Sequence, residues 1–136
     1  GYGYGDYVAM RKGGKLCTPN NPIDISLFGT SFPTLEQMES ASPCRMVSEN
    51  TPPMFLWCTS QDELVPSEQT LIMGLALARQ GIDYEIHVFE KGKHGYSLAD
   101  QSTASHDYQI SDTVSKWTDL VKPWLYDHIP VNECED

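Results

Sequence analysis

The sequence predicts an α/β fold of parallel strands with flanking helices, and three observations carry that expectation. Met54-Phe55-Leu56-Trp57-Cys58 is an unbroken apolar run of strand length. Tyr84 to Phe89 is a second strand candidate, rich in aromatic and β-branched residues. Between them lies a segment with helical spacing, and a crossover helix between two apolar strands implies that they pair in parallel. A continuous apolar run is expected to be buried on both faces, as in a parallel sheet covered by helices.

Taken in order, the chain divides into a Gly/Tyr/Pro-rich N-terminal segment (1–22), an α/β region (23–130) and an acidic tail (131–136). In the first segment only Tyr7 to Met10 suggests local order. A short helix is then expected after Thr34, because Thr34-Leu35-Glu36-Gln37 fits a capping box in which hydroxyl and amide satisfy free N–H groups. Ser42-Pro43 limits its length, since the residue before a proline avoids helical geometry. Pro52 and Pro53 lead into the first strand. A turn holding Asp62 follows, then a helix from about Pro66 or Ser67, with Leu71, Leu75 and Ala78 recurring at helical spacing. Gly81 closes that helix as a C-terminal cap. After the second strand comes the glycine-punctuated loop Lys91 to Gly95. The last helix is expected near Asp112 or Thr113, with Val114, Trp117, Val121, Trp124 and Leu125 along one face and Pro123 as a possible kink. Trp57, Trp117 and Trp124 read as core anchors. The tail from Val131 to Asp136 is expected to fray.

Composition narrows the functional classes. The 136 residues suit one domain of modest core, and 40% apolar content is ordinary for a globular chain. Nineteen acidic residues against 9 basic ones give a formal net charge of -10. That balance argues against nucleic acid, whose binding depends on Lys and Arg at phosphates, and against an anionic membrane surface. No apolar run approaches membrane-spanning length, and no basic-then-apolar leader is visible at the N-terminus. Cys17, Cys44, Cys58 and Cys134 are scattered without a C-x-x-C pair, so no zinc site and no cofactor are expected. Disulfides remain open, but reduced thiols and a cytoplasmic location are the expectation.

The chemistry-bearing residues sit just after the two strands: Asp62 after the first and His94 after the second. In an open parallel sheet the carboxyl ends of the strands share one edge, where ligands bind. An Asp that accepts from imidazole Nδ1–H fixes the tautomer and leaves Nε2 to take a proton from a serine hydroxyl. The glycines of Lys91-Gly92-Lys93-His94-Gly95 let the backbone turn sharply and present the ring. If the pairing is right, the Asp62 carboxylate lies within hydrogen-bond reach of His94. The alternatives are that Asp62 only caps a turn and that His94 is a surface histidine. His87 reads as a packed or edge strand residue, His106 and His128 as exposed, and Ser97 as close to His94 but not its nucleophile.

Thr51-Pro52-Pro53-Met54-Phe55-Leu56-Trp57, Asp62-Glu63-Leu64-Val65-Pro66 and Phe89-Glu90-Lys91-Gly92-Lys93-His94-Gly95 together resemble the closing segments of α/β-hydrolases. The resemblance runs from about Asp24 to Leu125 and is nearest the branch of acetyl esterases and xylan esterases. It implies the C-terminal half of such a fold, with Asp62 as triad acid and His94 as triad base. It also implies hydrolysis of a small acyl ester, with no metal. The family's G-x-S-x-G elbow, where the nucleophilic serine sits on a strained turn, is absent from the sequence. Gly1-Tyr2-Gly3-Tyr4-Gly5-Asp6-Tyr7-Val8-Ala9 echoes it with glycine in place of serine. The alternatives are therefore a non-catalytic remnant that binds or assembles, or one half of a split esterase. A two-strand sheet leaves edges and apolar faces open, so a homodimer or a completing chain is also expected.

Overall fold

The computed structural model describes residues 5–12 and 20–129. The first four residues of the glycine-rich echo, Cys17 and Cys134, and the acidic tail lie outside the described residues. The chain forms two compact units: Gly1–Pro52 with Glu68–Ile82, and Pro53–Ser67 with Asp83–Asp136.

The first unit is helical. Helix α1 (Tyr7–Lys12) is capped by Asp6, whose Oδ1 accepts the Ala9 N–H at 3.1 Å. Helix α2 (Pro22–Phe28) starts with Pro22 at its first position, where the missing N–H costs nothing, and with the Asn21 side chain accepting the Ile23 N–H at 3.0 Å. It stops at Gly29, whose left-handed φ of 68° lets its N–H turn back onto the Ile25 carbonyl. Helix α3 (Leu35–Ser40) carries the expected capping box between Thr34 and Gln37. It ends before Pro43, which opens a short 3-10 turn over Pro43–Arg45. Helix α4 (Glu68–Arg79) begins just after Pro66 and Ser67, within the usual uncertainty of a helix boundary.

Its buried face is not the one expected. Gln69, Met73, Gly74 and Leu77 are buried, whereas Leu71 and Leu75 are 51% and 50% exposed and Ala78 is exposed as well. Leu71 to Ala78 is apolar nearly all round, so spacing alone did not choose between opposite stripes. Gly81 (φ 69°) ends α4, with the Ile82 N–H reaching the Leu77 carbonyl at 3.1 Å.

Buried polar groups in this unit are paired, as burial requires. Asp24, fully buried, is bonded by the Tyr7 hydroxyl and the Arg11 guanidinium. Ser42 Oγ accepts the Tyr7 N–H at 2.9 Å and donates to the Met38 carbonyl at 2.8 Å. Gln69 Oε1 accepts the Asp6 N–H at 2.9 Å. Gly5 has no alternative, because a Cβ there would run into the Gln69 carbonyl.

The second unit holds the sheet. Strands β1 (Met54–Thr59) and β2 (Tyr84–Phe89) pair in parallel, from Met54 opposite Tyr84 to Thr59 opposite Phe89. Helix α5 (Trp117–His128) follows a 3-10 turn at Val114–Lys116 and packs on β1. The alternation of the strand puts Phe55 and Trp57 on one face. There Trp57 stacks on Trp117 at 5.3 Å and Phe55 meets Trp124 edge-on at 5.8 Å. Val114, in the 3-10 turn, is buried, whereas Leu125, expected on the same apolar face, is 39% exposed. The three tryptophans thus anchor a half-buried rather than a sealed core. Burial of β1 on both faces does not hold among the described residues: Met54 to Cys58 are half-buried, and Val88, on the face away from Trp57, is 44% exposed. The described residues form a two-stranded sheet, so each strand keeps an open edge and covering by helix is partial.

Candidate active site

Parallel pairing places the carboxyl ends of β1 and β2 side by side, and the loops that follow them meet at one rim. The ladder continues past the strands, with the Ser60 N–H donating to the Phe89 carbonyl at 2.8 Å. Asp62 sits in the turn after β1. Its Oδ1 accepts the N–H groups of Leu64 and Val65 at 2.9 and 2.8 Å. Its Oδ2 lies 2.8 Å from His94 Nδ1. Asp62 divides its contacts between its oxygens: Oδ1 builds the turn and Oδ2 faces the imidazole. An ionised carboxylate only accepts, so Nδ1 carries the hydrogen and Nε2 is the nitrogen that can exchange a proton with a substrate or nucleophile.

Both groups are shielded without being sealed, with side-chain exposures of 13% for Asp62 and 23% for His94. Such shielding strengthens the hydrogen bond, and it extends to the far edge of the ring, where His94 Nε2 is buried.

The His94 loop is shaped by its glycines and by side chains from elsewhere in the unit. Gly92 has φ 139°, and a Cβ there would lie 2.7 Å from Thr59 Cγ2 and 3.0 Å from the Tyr96 ring. Gly95 has φ 88°. The Thr59 hydroxyl donates to the Gly92 carbonyl at 2.8 Å, and Gln61 Oε1 accepts the Gly92 N–H at 3.4 Å. Ser60 Oγ donates to the Glu90 carbonyl at 2.5 Å. Downstream of the histidine, Gln109 Nε2 donates to the Gly95 carbonyl at 2.6 Å and Trp117 Nε1 to the Ser97 carbonyl at 2.9 Å. Sequence reasoning singled out none of Thr59, Ser60, Gln61 or Gln109. Position at the end of a strand is a usable signal for the first three; Gln109 has none.

The remaining candidates fall outside this pair. His87 packs its ring against Phe55 at 5.2 Å and bonds Glu85 Oε1 at 2.6 Å. His106 and His128 are exposed, His128 stacking on Trp124 at 4.3 Å. Ser97 is exposed, with a left-handed φ of 49°. Among the described residues no cluster of three or more His, Cys, Asp or Glu is placed to hold a metal ion, and no helix is long and apolar enough to cross a membrane. Burial, then the neighbouring Asp6 carboxylate, pushes the Cys44 thiol above its ordinary range.

A parallel βαβ unit with an Asp–His pair on its carboxyl rim defines a class, that of the α/β-hydrolases, and the comparisons agree. A sugar hydrolase from Lactococcus lactis superposes with a TM-score of 0.68 at 32% identity, over 76% of this chain and 42% of that one. The acetyl ester-xyloside bifunctional hydrolase from Caldicellulosiruptor lactoaceticus gives 0.62 at 35% identity, over 71% of this chain and 32% of its own. Endo-1,4-beta-xylanase B from Butyrivibrio fibrisolvens is 37% identical over 67 residues, which are 49% of this chain and 11% of that protein. Residues 20–120 match the model of the prolyl oligopeptidase family, and the chain belongs to that family. It spans less than half the length of each of these relatives and forms part of an α/β-hydrolase fold.

Proposed function

We propose that this chain carries the acid and base of a serine carboxylic-ester hydrolase, with Asp62 as the triad acid, His94 as the general base, and small acyl esters of carbohydrates as substrates. The observation that carries the reading is the 2.8 Å contact between Asp62 Oδ2 and His94 Nδ1, made by a carboxylate whose other oxygen is already fixed by two backbone N–H groups. A carboxylate held this way orients the ring and stabilises the imidazolium that forms when Nε2 takes a proton from a serine hydroxyl. The same nitrogen then returns that proton to the departing alcohol, and a water repeats the cycle on the acyl-enzyme. The names of the solved relatives, one acting on acetyl esters and xylosides and one on sugars, support the substrate class.

The serine and the N–H groups that stabilise the oxyanion come from the rest of the hydrolase fold, as a further part of the same polypeptide or as a completing chain. The missing G-x-S-x-G elbow and the open edge of the two-stranded sheet support this. These 136 residues alone therefore turn over p-nitrophenyl acetate no faster than free histidine does, and take no fluorophosphonate label. The positive test is a chimera in which residues 24–125 replace the matching segment of the Lactococcus lactis relative. It hydrolyses p-nitrophenyl acetate with saturation, and His94→Ala abolishes this. An inactive but folded and serine-labelled chimera would sink the assignment.

A further inference from the structure

We propose that Thr59, the last residue of β1, is a positioning residue that sets the Asp62–His94 geometry from beneath; the role rests on the reading of that pair given above. Thr59 is 3% exposed, and it touches both loops at once. Its carbonyl accepts the Asp62 N–H at 3.4 Å, at the start of the acid turn. Its hydroxyl donates to the Gly92 carbonyl at 2.8 Å, two residues before the histidine. Its methyl occupies the space in which a side chain at Gly92 would have to sit. One side chain therefore fixes both how far the base loop stands from the strand and which way its peptide points.

The chemistry of threonine suits this place. A buried carbonyl without a donor is costly, so replacing the hydroxyl by a methyl group forces the Gly92 peptide to turn toward another partner. The histidine loop swings with it, because only Lys93 separates Gly92 from His94. Serine keeps the donor and leaves a gap beside Gly92. Valine keeps the shape and removes the donor. The pair of substitutions separates hydrogen bonding from packing.

The experiment reads the His94 Nδ1–H proton directly, as a low-field resonance in the intact 136-residue chain, with Asp62→Asn as the assignment control. Thr59→Val is expected to make that proton exchange with water at least roughly tenfold faster, while the His87 ring resonances stay in place. Thr59→Ser is expected to keep the wild-type exchange rate. Ser60→Ala, which removes the neighbouring bond to Glu90, is expected to leave it unchanged as well. A folded Thr59→Val protein with wild-type exchange overturns the role of Thr59 and leaves the Asp62–His94 pair standing. Should Thr59→Val not fold, Thr59→Ser decides: loss of the protected proton there shows that the hydroxyl is not what positions the loop. Absence of the resonance from the wild type, or its survival in Asp62→Asn, sinks the pair itself.

Discussion

The two loops of the site are built on different principles. The acid turn is made locally: Asp62 Oδ1 binds the N–H groups two and three residues ahead, so the turn carries its own scaffold. The base loop is made at a distance, from Thr59 and Gln61 across the sheet and from Gln109 and Trp117 further along the chain. An acid fixed by its own neighbours tolerates change elsewhere. A base fixed by four distant side chains does not, and its alignment depends on the fold of the whole unit.

The sharpest way to break the comparison acts on chemistry rather than structure. Asp62→Asn retains a side-chain oxygen for the turn but presents an amide to the imidazole. In the active chimera it should lower kcat on the order of 10^4-fold with the thermal midpoint nearly unchanged. A large loss of stability instead would show that the turn depends on charge, contrary to the local scaffold. Gly92→Ala comes next and attacks the base loop. With φ at 139° and Thr59 Cγ2 only 2.7 Å from the new Cβ, it should destabilise the chain by about 2 kcal/mol, measured by urea unfolding. Gln109→Leu removes the clamp on Gly95 together with the Oε1 acceptor of the Ser105 and His106 N–H groups and should cost on the order of 1–2 kcal/mol, with faster amide exchange at Tyr96 than at Val65. Equal acceleration at both would erase the distinction between the loops.

The smallest effect concerns pH. The Asp100 carboxyl, downstream of the base loop, is held below its ordinary range first by the Ser102 hydroxyl. A depressed carboxyl contributes stability above its ordinary value of 3.8 and loses it as pH falls through the folded value. Ser102→Ala should therefore lower the thermal midpoint slightly at neutral pH, and the difference from the wild type should vanish as the pH falls through the folded value.

The difference between the loops also explains what was legible in the sequence. Strands, capping box and the glycine stops were readable because each depends on residues a few positions apart. Asp62 and His94 were readable because strand ends mark a rim. The clamps at Thr59 and Gln109 were not, since their partners lie 33 and 14 residues away and nothing local marks them. Helix α4 failed for another reason. Leu71, Leu75 and Ala78 form a valid apolar stripe, but so do Met73, Gly74 and Leu77, and only tertiary contact chooses between them.

The aromatic packing on β1 gives the molecule an optical asymmetry. All three tryptophans of the chain, Trp57, Trp117 and Trp124, lie in the unit that bears Asp62 and His94, and the other unit has none. Indole emission is thus a private signal of the site-bearing half, whereas far-ultraviolet dichroism weighs the helices of both. Two of those indoles are stacked at 5.3 Å with their planes 17° apart, close enough to couple their excitations. A denaturant titration followed in both channels separates the melting of one unit from that of the other without a label, a cut or a substitution.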